Sequence, residues 1–128
     1  MSKKLPYGVS DFNVVIREDY CYADKTRYIP LMEEQPDFLF LIRPRRFGKS
    51  LFLRMLAYYY DSFFKDRFKD RFNELFDKLW IGQSPTPKQG AYQVLCLDFS
   101  KAGGKLNEIE GNCKRYISGT LDDFMRKY

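Results

Sequence analysis

Phe38-Leu39-Phe40-Leu41-Ile42-Arg43-Pro44-Arg45-Arg46-Phe47-Gly48-Lys49-Ser50-Leu51 is the stretch on which the fold of this chain turns. Its first five residues are an unbroken apolar run, the pattern of a strand buried on both faces of a parallel sheet. Arg43 to Phe47 follow as a basic loop. Gly48-Lys49-Ser50 then opens a helical pattern from Leu51 to about residue 62. In it Leu51, Met55 and Tyr58 recur at helical spacing, with Leu53, Leu56 and Tyr60 on a neighbouring stripe. Apolar residues cover so wide an arc that this helix is expected to be largely buried. A helix N-terminus has unpaired N–H groups and the positive end of the helix dipole, so the order strand, loop, helix suits an anion. Gly48 allows close backbone approach. Lys49 is placed to reach the β- and γ-phosphates of a nucleotide, and the Ser50 hydroxyl to ligate Mg²⁺. The phosphate-loop pattern G-x-x-x-x-G-K-[ST] asks for glycine at position 43, where this chain has Arg43. The competing reading is a basic turn with Gly48 as a packing glycine.

Working outward, Tyr20 to Ala23 read as a short strand. Asp24 reads as a cap for a helix over 25–34, which Pro30 pushes to start later. Residues 63–81 form the clearest amphipathic helix. Phe64, Phe68, Phe72, Leu75, Phe76 and Leu79 make one face, and Lys65, Asp66, Lys69, Asp70, Glu74 and Asp77 the other. Residues 82–90 are turn-rich loop. Val94 to Leu97 form a second buried-type strand ending at Asp98, Ala102-Gly103-Gly104 a turn, and 105–127 a last helix that Gly111 and Gly119 weaken. Its apolar face comprises Leu106, Ile109, Cys113, Tyr116, Ile117, Leu121 and Phe124.

At 128 residues the chain amounts to one domain at most. It is 45% hydrophobic and 30% charged, which excludes a disordered tail or a disulfide scaffold. The 18% aromatic content points to folding or partner contact, and the ten tyrosines show no stacking pattern of a single-strand binder. There is no histidine, so Ser-His-Asp and Cys-His chemistry and histidine metal sites are excluded. Cys21, Cys96 and Cys113 lack C-x-x-C spacing and read as reduced thiols, hence a cytoplasmic expectation. No apolar run is long enough for a membrane span, and no signal-peptide core follows the basic N-terminus. The net charge of +5 suits an anionic ligand and does not by itself specify nucleic acid.

Arg43-Pro44-Arg45-Arg46-Phe47-Gly48-Lys49-Ser50-Leu51 resembles the hallmark loop of the bacterial AAA-ATPase-like family. In that family a predicted ATPase domain often precedes a restriction-nuclease-like domain. Asp11-Phe12, Ile16-Arg17-Glu18 and Tyr22-Ala23-Asp24-Lys25-Thr26 resemble its upstream segment, and Val94 to Ser100 its next strand. Arg43 is then no departure, because the family's loop carries arginine there. The resemblance implies a P-loop (Walker A) site for ATP and Mg²⁺ formed by Arg45, Arg46, Phe47, Gly48, Lys49, Ser50 and Leu51, with Ser50 touching Mg²⁺. Asp24-Lys25-Thr26 would lie near the nucleotide. Asp98 is a weaker candidate for the metal, because the family's acidic strand lies further downstream; its alternative role is to form the turn before Ser100.

The expected fold is therefore α/β: part of a three-layer αβα P-loop NTPase-type domain with a parallel sheet, incomplete in this chain. Residues 1–36 lead in, and 37–128 carry the loop, helices and second strand. Two strands without the middle of a sheet imply an N-terminal piece of a longer ATPase that lacks the acidic strand for hydrolysis. Its expected partners are nucleotide and the rest of the domain or a self-associating copy. The alternative is a basic, non-enzymatic module with a vestigial loop, contacting nucleic acid through Arg45 and Arg46 or another protein.

Overall fold

A computed structural model describes residues 2–128, Lys69 by its backbone alone. The chain divides into two units, one running through Tyr92 and one spanning Gln93–Tyr128. The first holds α1 (Phe12–Arg17), α2 (Tyr28–Glu33), α3 (Lys49–Tyr60), α4 (Ser62–Arg67), α5 (Lys69–Phe76) and α6 (Trp80–Gln83). The second holds a 3₁₀ turn (Phe99–Ala102) and α7 (Ile109–Lys127). No helix among the described residues is long and apolar enough to cross a membrane.

Among the described residues the expected parallel sheet is absent, and the αβα P-loop architecture with it. Among the described residues there is no strand, only an isolated parallel bridge between Asp61 and Tyr92. Phe38 to Ile42 are not in a sheet and stand exposed: Phe38 is 89% and Phe40 91% accessible. Leu95 and Leu97, on the second expected strand, are exposed too. Cys21, in the third, gives its N–H to the Lys4 carbonyl and makes no ladder. The physical reason is that a strand needs a neighbour. An apolar run has the composition of a buried strand, but its N–H and C=O groups form a ladder only where another extended segment lies alongside.

The core of the first unit is aromatic. Phe12, Ile29, Met55, Tyr59 and Phe76 are fully buried, with Phe52, Leu75, Leu79 and Ile81 around them. Phe76 is central, its ring 5.2 Å from Phe12, 5.7 Å from Tyr59 and stacked at 4.9 Å on Phe72. The helix after Gly48 forms as expected but rotates its deepest stripe to Phe52, Met55 and Tyr59. Leu51, Leu56, Tyr58 and Tyr60 pack partly against the core, and Leu53 is exposed.

The single helix expected over 63–81 is three. Asp61 ends α3 in extended backbone and caps α4 by accepting the Phe63 N–H at 2.9 Å. At Phe68 (φ −135°, ψ 60°) the chain leaves helical geometry, and α5 packs on α4. The apolar face survives where it has core to meet, at Leu75, Phe76 and Leu79, while Phe68 is half-exposed. Lys69, expected on the polar face, lies outside the described side chains. Pro30 occupies the first turn of α2, where its missing N–H costs nothing, and the helix starts at Tyr28.

In the second unit the last helix begins at Ile109 and runs through Gly111 and Gly119. Of its expected apolar face Cys113, Tyr116, Ile117 and Phe124 are half-buried, Ile109 and Leu121 are exposed, and Leu106 lies ahead of the helix and is exposed. Tyr116 within the helix and Tyr128 at its C-cap serve the segment before it: the Tyr128 hydroxyl accepts the Val94 N–H and the Tyr116 hydroxyl the Asp98 N–H. Backbone donors that a sheet would have paired are paired by phenols instead.

Other tyrosines make a polar clasp in the first unit. The Thr86 hydroxyl and the Tyr60 hydroxyl both donate to Glu33 Oε1, at 2.7 and 2.8 Å. The Thr86 N–H donates to the Tyr59 hydroxyl at 2.8 Å. Burial raises the phenols of Tyr58, Tyr59 and Tyr60, with the Glu33 hydrogen bond and charge adding at Tyr60. Burial, helped by the Asp24 charge, pushes Tyr22 up to about 12. A raised phenol keeps its proton longer in the folded chain than in the unfolded one. Its stabilising contribution is therefore complete below the ordinary value near 10 and is lost as pH rises through the raised one. Spectrophotometric titration should show these four tyrosines ionising above pH 10 together with loss of helical circular dichroism. Ionisation near 10 with helix intact would contradict their burial.

Candidate functional site

The loop Arg43 to Gly48 leads directly into α3. Gly48 is the N-cap, with φ 78° and ψ 26°, left-handed values that a side chain would strain. Lys49 after it is helical. A left-handed residue followed by a right-handed one turns successive N–H groups toward a common concavity, the backbone arrangement of anion-binding nests. The first helical bond, from the Phe52 N–H to the Gly48 carbonyl, is 2.9 Å. The N–H groups of Lys49, Ser50 and Leu51 precede it and lie beyond the reach of the helix's own carbonyls. Among the described residues no side chain caps this end, and no acidic residue stands in its first turn. By contrast, aspartates cap α1 and α4.

Arg43, Arg45, Arg46, Phe47, Gly48 and Ser50 are exposed, Lys49 is half-buried, and Leu51 packs partly on the core. Arg46 holds a left-handed φ of 66°, a mildly strained value for a residue with a side chain. Lys49 folds back across the loop and donates to the Arg43 carbonyl at 2.7 Å. Lys25, twenty-two residues upstream of Phe47, donates to the Phe47 carbonyl at 3.1 Å. Among the described residues neither ammonium has a carboxylate within ion-pair distance; the pairs that form are Lys3–Asp19 and Lys114–Glu110. A cavity of about 180 Å³ opens beside the loop, lined by Tyr22, Ala23, Lys25, Gly48, Leu51 and Phe52, among others.

Asp24 and Thr26 explain why Lys25 is there. Asp24 Oδ1 accepts the Thr26 N–H at 2.9 Å and the Thr26 hydroxyl at 2.6 Å, a turn closed by its own side chain. Asp24 Oδ2 accepts the Trp80 N–H at 2.7 Å, the first helical residue of α6. Thr26 is fully buried, and its hydroxyl oxygen accepts the Ile81 N–H. Burial pulls the Asp24 carboxyl upward, but the hydrogen bonds from Thr26 and Trp80, with the Arg27 charge, outweigh it and hold the group below the ordinary carboxylate value. The cap expected of Asp24 on the helix after it does not form, since α2 has Arg27 at its N-cap and no side-chain cap; Asp24 instead accepts from the start of α6 and closes the turn before α2. The sequence clue was Asp-x-Thr itself, a turn-forming pair.

Asp98 lies in the second unit. It accepts the Ser100 N–H at 3.1 Å and the Ser100 hydroxyl at 2.6 Å, opening the 3₁₀ turn. That is the turn-forming role weighed against metal binding. Among the described residues, no group of three or more Cys, Asp or Glu is clustered as a metal would require.

Residues 6–128 match the family model described as predicted AAA-ATPase. The chain belongs to this AAA-ATPase-like family. An uncharacterized protein from the vnfD 5′ region of Azotobacter chroococcum mcd 1 is 56% identical over 57 residues, a stretch covering 43% of this chain and 11% of that protein. No solved structure matches the chain.

Proposed function

We propose that this chain binds ATP with Mg²⁺ at the N-terminus of α3, through Arg45, Arg46, Phe47, Gly48, Lys49, Ser50 and Leu51. The observation that carries the reading is a set of donors without an anionic partner among the described residues: an uncapped helix end free of acidic residues, beside two ammonium groups that face carbonyls and no carboxylate. Such a set fits a polyanion and little else. The N–H groups of Lys49 to Leu51 and the Lys49 ammonium would hold phosphate oxygens. The Ser50 hydroxyl would hold Mg²⁺, which binds proteins through few side chains plus substrate phosphates. Bound Mg²⁺ would supply neutralisation of phosphate charge. Membership of a family described as predicted ATPases supports the same reading. Asp98, occupied by Ser100, is given no part in it.

The test is equilibrium titration with a fluorescent ATP analogue, with and without Mg²⁺, in competition with unlabelled ATP and with duplex DNA. Saturable binding, strengthened by Mg²⁺ and displaced by ATP, is expected. A folded protein that ignores ATP, yet binds DNA with affinity falling steeply in salt, would replace this reading with that of a basic nucleic-acid module.

A further inference from the structure

The Asp24-Lys25-Thr26 turn couples a hydrogen-bonded mount to one contact on the loop. Asp24 and Thr26 are fixed on both sides of Lys25 by four hydrogen bonds, two of them to backbone N–H groups at the start of α6. Lys25 alone of the three turns to the loop, where its ammonium donates to the Phe47 carbonyl. A Cβ built on Gly48 would lie 3.8 Å from that ammonium, so the cation stands against the backbone that leads into α3. A neutral carbonyl is a weaker acceptor for an ammonium than a phosphate oxyanion. Lys25 therefore has a contact that holds the loop now and a better one available when an anion arrives.

We propose that Lys25 is a second phosphate-binding lysine that works by exchange. It restrains the loop through the Phe47 carbonyl while no polyphosphate is present, and passes its hydrogen bond to the phosphate chain when one binds. The inference rests on the nucleotide reading above and adds a residue from outside the loop. It would favour di- and triphosphates, since Lys49 and the helix N–H groups would serve the nearest oxygens.

The experiment compares wild type, Lys25→Met and Lys25→Arg, each confirmed as folded by its thermal melt. Binding of MgATP and of AMP is measured by calorimetry. Trypsin cleavage after Arg45 and Arg46 is followed by mass spectrometry, with and without MgATP. Loss of one charge-assisted hydrogen bond predicts about tenfold weaker MgATP binding in Lys25→Met, unchanged AMP binding, and recovery to within about threefold in Lys25→Arg. Without nucleotide, Lys25→Met should be cut severalfold faster in the loop. Equal MgATP affinity in wild type and Lys25→Met, or an equal loss for AMP and ATP, overturns the exchange and leaves the nucleotide reading standing. A folded wild type that binds no MgATP overturns both.

Discussion

Replacing Lys49 with alanine should weaken MgATP binding about a hundredfold while leaving the fold intact. The ammonium is the one formal charge on the first residue of α3, and its contact in the free protein is a carbonyl of the same loop, Arg43. Two charge-assisted hydrogen bonds to phosphate, each contributing about 1.5 kcal/mol, account for a loss of that size. Stability should barely change, because the contact given up is partly solvent-facing; the melting temperature should stay within about 3 °C. Calorimetric titration of both proteins decides the matter. Equal affinities would remove Lys49 from the proposed site and the phosphate-loop reading with it.

Gly82→Ala should be the most damaging small substitution in the first unit. A Cβ there runs into the backbone carbonyl of Phe76, which is fully buried at the centre of the core and cannot retreat. Relief requires α6 to move, and α6 is held by the Trp80 and Ile81 N–H bonds to Asp24 and Thr26. Overpacking plus two strained hydrogen bonds amounts to about 3 kcal/mol, or about 15 °C in melting temperature for a unit of this size. The same change at Gly111 or Gly119 meets nothing within 4 Å and sits inside α7. There alanine should stabilise by up to about 1 kcal/mol. Thermal melts of the three variants should separate in sign. A Gly82→Ala protein that melts like wild type would refute the close contact of α6 with Phe76.

These contrasts also show what sequence could and could not say. The loop and the helix after it were legible because their determinants are local: a glycine able to take a left-handed φ, then an amphipathic period. The apolar period also located Leu75, Phe76 and Leu79 in the core. It could not locate the break at Phe68, because a phenylalanine on the apolar stripe looks the same whether the helix continues or turns. The sheet failed for a deeper reason. Phe38 to Ile42 and Val94 to Leu97 were read as strands by composition, but pairing depends on a partner elsewhere in the chain, and composition is silent about that. Asp24 shows the same limit on a smaller scale. Its capping chemistry was visible, yet its recipient, Trp80, lies 56 residues away.

That long-range bond gives the protein a built-in optical reporter. Trp80 is the chain's single tryptophan, half-exposed, with its backbone N–H on the carboxylate next to Lys25. All indole emission therefore comes from a residue whose backbone is one hydrogen bond from the turn that reaches the loop. Intrinsic fluorescence can follow events at that turn in unlabelled protein, free of any second indole.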